Sequence, residues 1–386
     1  MFSKRALELA TSPTIAIDTK AKAFKRQGIP VINLSVGEPN FHTPDNIKKA
    51  AIEAIKEGNS FYTAPEGIIE LREAIAKKLK RDNKLTYDSN DIIVGVGAKQ
   101  ILYNIFQVLC DKGDEVIIAL PAWNTFVELV KLTGAKPVLI TLKPPFKLKA
   151  SDIKKVITPK TKVLLLNSPS NPTGAMIEPE ELTKIADLAV KNNIFVISDE
   201  IYEKLTYTQK HISIASLNEK IKERTITVSG LSKSYAMTGW RVGYAAGPSE
   251  IVAKMKALQS QLLAHTSSIS QKAGVEALNG DQASVVMMQK AFAKRRTYCL
   301  KQIAKIPSLS VNEPDGAFYL FISIEKLLGK KYTTATAWAE ALLEDEKVAV
   351  VPGEAFFYPG YIRFSYAASD EDLVEAFVRI KRFIEK

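Results

Sequence analysis

Gly230-Leu231-Ser232-Lys233-Ser234-Tyr235-Ala236-Met237-Thr238-Gly239-Trp240-Arg241 is the stretch from which the rest of this chain can be read. It places one amine just past a short β-run, Ile226-Thr227-Val228, among small residues, with an arginine eight positions on. An amine so placed can form a Schiff base with a carbonyl cofactor, and the arginine can grip a phosphate on it. A lone lysine would carry no such message, because most of the 53 basic residues must be solvated surface. The message lies in the whole pattern, small-X-small-Lys followed by Gly-X-Arg.

Working outward, the text around this run alternates short apolar runs with helical periods. Strands are expected at Ile92–Val96, Glu115–Leu120, Lys136–Ile140, Lys162–Asn167, Ile194–Ser198, Thr225–Ser229 and Val242–Ala246. Between them lie segments such as the one opening at Pro179, whose Leu182, Ile185 and Leu188-Ala189 share a stripe that ends near Asn192-Asn193. This βα repetition predicts an α/β fold with a mostly parallel sheet covered on both faces. The last region reads differently: a charged amphipathic helix over Gln282–Ala304, then strands at Ala317–Ile322, Val348–Val351 and Tyr361–Tyr366. The expected organisation is a large domain over residues 40–285, with residues 1–39 and 286–386 forming a smaller α+β domain.

The 386 residues suffice for two such domains, and 46% hydrophobic with 25% charged residues is ordinary for a globular protein. No run approaches the ~18 apolar residues that span a bilayer. The N-terminus has no apolar core of a secretion signal, and two cysteines, Cys110 and Cys299, suit a reducing compartment, so a cytoplasmic location is expected. Three scattered histidines without a CxxC point away from a structural zinc site, and no metal is expected. The net charge of +11 does not signal nucleic acid: lysines interleave with glutamates, as in Glu70-Leu71-Arg72-Glu73-Ala74-Ile75-Ala76-Lys77-Lys78-Leu79, and read as solvated helix faces.

Ligands of open α/β sheets bind beyond the carboxyl ends of the strands, and the unusual residues fall there. After the first strand come Gly97-Ala98-Lys99 and a helix expected to open near Gln100, whose N-terminus suits a phosphate. A dinucleotide fingerprint would need glycine where Gln100 stands. After the fourth strand comes Asn167-Ser168-Pro169-Ser170-Asn171-Pro172-Thr173-Gly174, a rigid turn from which Asn171 can donate a hydrogen bond. After the fifth come Asp199-Glu200-Ile201-Tyr202. Asp199 there could hold a pyridine nitrogen protonated, or in isolation cap a helix.

Asn-Pro-Thr-Gly, Asp-Glu-X-Tyr and the lysine motif, in this order, resemble those of the class I and II aminotransferases, the fold type I enzymes that use pyridoxal 5'-phosphate (PLP). Further landmarks, Gly37-Glu38-Pro39, Tyr62, Lys99-Gln100, Trp123, Pro314-X-Gly316-Ala317-Phe318-Tyr319 and Ile362-Arg363-Phe364, extend the resemblance to the bacterial aspartate aminotransferase subgroup over nearly the full length. The resemblance implies that Lys233 forms the internal aldimine and then shuttles a proton, which calls for a lowered pKa. It implies that Asp199 pairs with the pyridinium nitrogen, that Tyr202 and Asn171 bond the ring's phenolic oxygen, and that Trp123 stacks on the ring. Arg241 with the Gly97-Ala98 backbone and Lys99 would hold the cofactor, and Tyr62 would reach the phosphate in the neighbouring subunit of a homodimer. Arg363 would clamp the substrate α-carboxylate with Gly37 completing the site, and strand alternation puts Arg363, Ser365 and Ala367 on one face.

Lys99 and Thr14 match positions that face the substrate's side-chain carboxylate in the aspartate group, so amino transfer between L-aspartate and 2-oxoglutarate by ping-pong half-reactions is expected. Two departures from the family pattern stand out. Gly230 replaces a common phosphate-binding serine, which leaves Ser229 or Ser232 to supply a hydroxyl. Ala122 replaces a common tyrosine and opens space near the ring, which keeps aromatic amino acids or prephenate as alternatives. A PLP-dependent C–S lyase or cyclising synthase on the same fold is a further alternative. A sensor domain of a transcription factor is disfavoured, because Gly37 already matches the substrate loop and leaves no room for a DNA-binding module before it.

Overall fold

The seven apolar runs form one sheet: β1 (Ile92–Val96), β2 (Glu115–Leu120), β3 (Lys136–Thr141), β4 (Thr161–Asn167), β5 (Phe195–Asp199), β6 (Thr225–Gly230) and β7 (Val242–Ala246). The computed structural model describes the backbone of residues 13–386 and the side chains of residues 17–386. Strand order is β1-β7-β6-β5-β4-β2-β3. Neighbours from β3 through β6 pair in parallel, and only β7 runs against its two partners, β1 and β6. The inner strands are largely apolar text because both faces are covered, whereas the edge strand β3 is half-exposed. Val163 and Leu165 pack on one side with the helix Gly97–Leu109, while Leu164 and Leu166 pack on the other with the helix Pro179–Lys191. The latter starts on a proline, carries Glu180 and Glu181 in its first turn and Lys191 in its last, and buries Leu182, Ile185, Ala186 and Ala189.

A second, antiparallel sheet has the order Val351–Pro352, Tyr361–Ser365, Tyr319–Ser323, Ser310–Val311. Its core includes Ile32 and Leu34 together with Phe292 and Cys299 from the 21-residue helix Ala283–Ile303 and Phe377 and Ile380 from the helix Asp370–Glu385. Ile32–Asn33 also pairs in parallel with Val348–Ala349.

Three local readings change. The segment Val348–Val351 is two strands in two sheets, and Pro352, which cannot donate to a ladder, sits on an edge. The strand expected from Ala317 starts at Tyr319, because Ala317 is in the left-handed region at φ 58°. The helix expected near Gln100 opens at Gly97, whose φ of +74° turns the chain directly from β1 into the helix. One correction concerns charge: Lys78 is not a solvated lysine but 3% exposed, paired with Glu203. Among the described residues no helix is long and apolar enough to cross a membrane.

Candidate active site

The parallel strands deliver their C-terminal ends to one edge of the sheet, and β7, running the other way, begins at that same edge. Asn167 and Asp199 end β4 and β5, Lys233 follows β6, Arg241 precedes β7, and Ala98 and Lys99 follow β1. All of these line one cavity of about 340 Å³, together with Gly37, Trp123, Asn171, Tyr202 and Arg363. The loop between β6 and β7 is held in an unusual shape, with Ala236 at φ 51° and Arg241 at φ 59°. Such strain persists where the surroundings fix it. Here the segment 37–43 does so: Lys233 Nζ donates to Gly37 O, Thr238 Oγ1 to Glu38 Oε1 at 2.6 Å, Thr43 Oγ1 to Ala236 O at 2.7 Å, and Trp240 Nε1 to Thr43 Oγ1 at 2.9 Å.

Burial pushes the Lys233 ammonium down to about 8, with the Arg363 and Arg241 cations adding to the effect and Glu38 and Asp199 opposing it. Burial also pushes the Asp199 carboxyl up to about 7, reinforced by Glu200 and opposed by the Ile201 N–H and Lys233. A carboxyl held so high has room to gain from a cation placed before it. Tyr202 is buried, its phenol raised well above the usual range by burial, and its OH lies 2.8 Å from that of Tyr319.

Arg363 is 4% exposed, on the strand Tyr361–Ser365, opposite Phe321 and Val351. Its Nη1 donates to Asn171 Oδ1 at 3.0 Å and its Nη2 to Ser35 O, while its buried Nε has no partner. The guanidinium lies 4.5 Å from the Tyr319 ring centroid and 5.1 Å from that of Phe356. Burial lowers its pKa, and among the described residues no carboxylate pairs with it. Arg241 bonds only backbone carbonyls among the described residues, Thr238 O at 2.8 Å and Val96 O at 3.4 Å. A Cβ on Gly97 would stand 2.5 Å from Arg241 Nη2, so glycine is what lets the helix N-terminus and the guanidinium share one anion position. Lys99 Nζ stands 4.7 Å over the Trp123 ring, its pKa lowered by burial and by Arg241, and among the described residues it has no ion-pair partner.

Other expected residues fall elsewhere. Tyr62 is 91% exposed, edge-on to His265, and does not line this cavity. Thr14 lies in the helix Pro13–Arg26, and its side chain is outside the described residues. Ala122 does not widen the main cavity; it is buried and lines an adjoining apolar space with Leu142, Phe146 and Met176. Of the two candidate hydroxyls, Ser232 faces the cavity, whereas Ser229 turns to Glu203. A side chain at Gly230 would meet Val242 O at 2.9 Å, so the close approach of β6 and β7 explains that departure. Tyr319, which braces Tyr202 and Arg363, has no assigned role in the sequence reading; its signal is the register, which puts it opposite Ser365, diagonal to Arg363 on the same face.

The chain resembles known proteins over nearly its whole length. Residues 29–380 match the family described as aminotransferase class I and II. The chain is 46% identical to the aspartate aminotransferase of Bacillus sp. (strain YM-2), over 100% of this chain and 99% of the relative. It is 43% identical to a "probable aspartate/prephenate aminotransferase" of Aquifex aeolicus, again over 100% and 99%. The crystal structure of the aspartate aminotransferase from Thermus thermophilus with maleate superposes with a TM-score of 0.95 at 39% identity, covering 99% of both chains. The family match spans most of the chain and the relatives match it end to end, so this protein belongs to the class I and II aminotransferase family.

Proposed function

We propose that this chain is a PLP-dependent aminotransferase that moves the amino group of L-aspartate to 2-oxoglutarate. The observation that carries the reading is one cavity lined by Lys233, Arg241, Arg363 and Lys99 in which, among the described residues, no carboxylate forms an ion pair with any of the four. Arg363, a buried cation without a carboxylate, calls for an anionic occupant, and the exposed Lys99 and Arg241 add positive field to the same cavity. The donor set suits PLP: a nucleophilic amine, a carboxyl facing the cavity, and an arginine beside a helix N-terminus.

When bound, PLP supplies a carbonyl for an amine and a ring that takes up electron density from the substrate. Lys233, neutral above about pH 8, is the group that can attack that carbonyl and later take and return the proton at the substrate Cα. Asp199 would hold a proton on the cofactor's ring nitrogen, Tyr202 and Asn171 would serve its phenolic oxygen, and Trp123 would pack against its ring, all four lining the cavity. Arg241, Ser232 and the Gly97-Ala98 backbone fix the phosphate. Arg363 takes the α-carboxylate beside Gly37, and Lys99 the side-chain carboxylate, with Thr14 as its companion.

A homodimer with shared sites is part of the reading. Ile52, Ile55, Phe61 and Tyr62 are apolar or aromatic and 50–91% exposed, and Tyr62 would reach the partner's phosphate site. The division into residues 40–285 and a smaller domain of 1–39 with 286–386 is supported by the core that joins Ile32 and Leu34 to residues 288–383. Free, buried Cys110 and Cys299 fit a cytoplasmic location. The second reading, an aromatic or prephenate donor, rests on the name of the Aquifex aeolicus relative.

The test is the absorption spectrum of PLP-loaded protein before and after L-aspartate, with L-phenylalanine and L-alanine in parallel. Loss of the lysine-bound band with aspartate and its return with 2-oxoglutarate is the expected result. Conversion by the aromatic donor alone would replace the aspartate assignment, and absence of any band would refute the role of Lys233.

A further inference from the structure

The turn that presents Asp199 and Tyr202 to the cavity sends the carboxylates that follow each of them, Glu200 and Glu203, the other way. Glu200 accepts from Ser198 Oγ at 2.9 Å, Ser213 Oγ at 2.7 Å and Asn83 Nδ2 at 3.1 Å. Glu203 pairs with Lys78 and accepts from Asn83 Nδ2 at 2.7 Å and Ser229 Oγ at 3.2 Å. Both carboxylates are buried, Glu200 at 1% exposure and Glu203 at 9%. Against two buried anions Lys78 supplies one cation.

His211 stands where the second is needed. Its Nε2 lies 2.9 Å from Glu200 Oε2, its side chain is 9% exposed, and neither ring nitrogen has a well-aimed hydrogen-bond partner. Burial works against its protonation, but Glu200 and then Glu203 outweigh burial and the opposing Lys78, so its pKa is raised. The phenols nearby add no charge: burial pushes Tyr244 up to about 12 and Tyr87 well above its usual range. A cluster of zero net charge is far cheaper to bury than one with an unmatched carboxylate.

We propose that protonated His211 completes a charge-neutral cluster with Glu200, Glu203 and Lys78, and that this cluster positions Asp199 and Tyr202 and sets the ionisation of Asp199 from behind. The proposal deepens the proposed function, resting on the reading of Asp199 as the partner of the ring nitrogen. Glu200 already pushes Asp199 toward protonation, while Lys233 pulls the other way. Without the imidazolium the cluster keeps one excess negative charge next to Asp199, and without Glu200 it keeps one excess positive charge as long as Glu203 holds the proton on His211. Glu200, Glu203 and His211 also offer ligand atoms within 4.8 Å of one another, a spacing that could hold a divalent ion. Lys78 and Asn83 already engage those carboxylates, which favours the ion cluster.

The experiment compares wild type, His211→Gln, Glu200→Gln and the double variant by the dissociation constant of PLP, measured by equilibrium dialysis across pH 5–9. His211→Gln should move the midpoint of the affinity–pH curve upward by about one unit, a tenfold change in the Asp199 protonation equilibrium. Glu200→Gln should move it downward, and the double variant should return it to the wild-type position. A purely structural role would make both single variants shift alike or the double worse than either, and that result overturns the proposal. Stabilisation of wild type by added zinc ion would overturn it too, in favour of a metal site. The chain has three histidines, so the His211 ring can also be titrated directly by NMR in wild type. An imidazolium persisting above pH 7 supports the cluster, and a ring neutral at pH 6 refutes it even if the single variants do not fold. If wild-type protein binds no PLP the proposed function fails, while this titration still decides the cluster.

Discussion

Replacing Arg363 by lysine keeps the charge and removes the fork, and the structure fixes what that should cost. A guanidinium has five N–H donors. Arg363 uses two, one on Asn171 Oδ1 and one on Ser35 O, which leaves Nε and two others for a carboxylate. An ammonium has three donors, so after serving the same two neighbours a lysine has one left. At least one of two charge-assisted bonds to the α-carboxylate is lost, worth about 1.5–3 kcal/mol, or roughly 10- to 150-fold in kcat/KM. Arg363→Ala should be worse, because it removes both bonds and leaves the buried Ser35 carbonyl unserved. The assay is steady-state kinetics with aspartate, phenylalanine and alanine as donors. All share the α-carboxylate, so the loss should be similar for each and should appear in both KM and kcat, because Arg363 and the Lys233 loop are braced by the same segment. A KM within threefold of wild type in both variants, or a loss confined to aspartate, would refute the clamp.

Lys99→Ala should do the opposite, lowering kcat/KM for aspartate by about tenfold, one charge-assisted bond at the low end, with little change for phenylalanine; equal losses would remove Lys99 from specificity. Lys233→Ala should abolish turnover. In wild type the rate of PLP capture by cofactor-free chain should rise with pH and level off above about pH 8, where the amine is neutral; a rise continuing toward pH 10 would show an unperturbed lysine. Because that pKa is depressed, the unfolded chain binds the extra proton, so the cost of burying Lys233 is felt below about pH 8 and fades as pH climbs toward the ordinary lysine value. Glu346 is held at about 2 by hydrogen bonding to Arg382, with Lys386 adding to it. Its depressed pKa contributes stability above pH 4.5 that is lost as pH falls toward 2, so Glu346→Gln should flatten the acid limb of a thermal-unfolding series; an unchanged limb would refute the contribution.

What the sequence makes legible follows from period and range. The inner strands of the large sheet are readable because burial on both faces makes them largely apolar runs, and the half-exposed edge strand Lys136–Thr141 is readable from Val138, Leu139 and Ile140; the ends of all seven agree to within a residue. The cavity residues at strand ends are readable because a parallel sheet gathers those ends whatever the loops do. Lys78 is the opposite case. Within its helix it sits among charges and reads as solvated; only the partner 125 positions away, Glu203, makes it a core residue. Tyr319 and Ser35 are hidden for the same reason, since their roles depend on register and on a backbone carbonyl brought in from a distant segment.

That distance dependence bears on how the site works. The residues proposed to hold the cofactor, Lys233, Asp199, Asn171 and Arg241, hang from the large, mostly parallel sheet, whereas Arg363 belongs to the antiparallel sheet and reaches Asn171 and Ser35 across the cavity. The segment 35–43 links them, accepting from Arg363 at Ser35, from Lys233 at Gly37 and from Thr238 at Glu38. A substrate carboxylate bound at Arg363, as proposed, would therefore act on the same short segment that braces the Lys233 loop. Binding at the recognition end and alignment at the reacting amine are mechanically joined, so substrates lacking the α-carboxylate should lose kcat as well as affinity. Substrate analogues without that carboxylate but with an unchanged kcat would show that the segment transmits nothing.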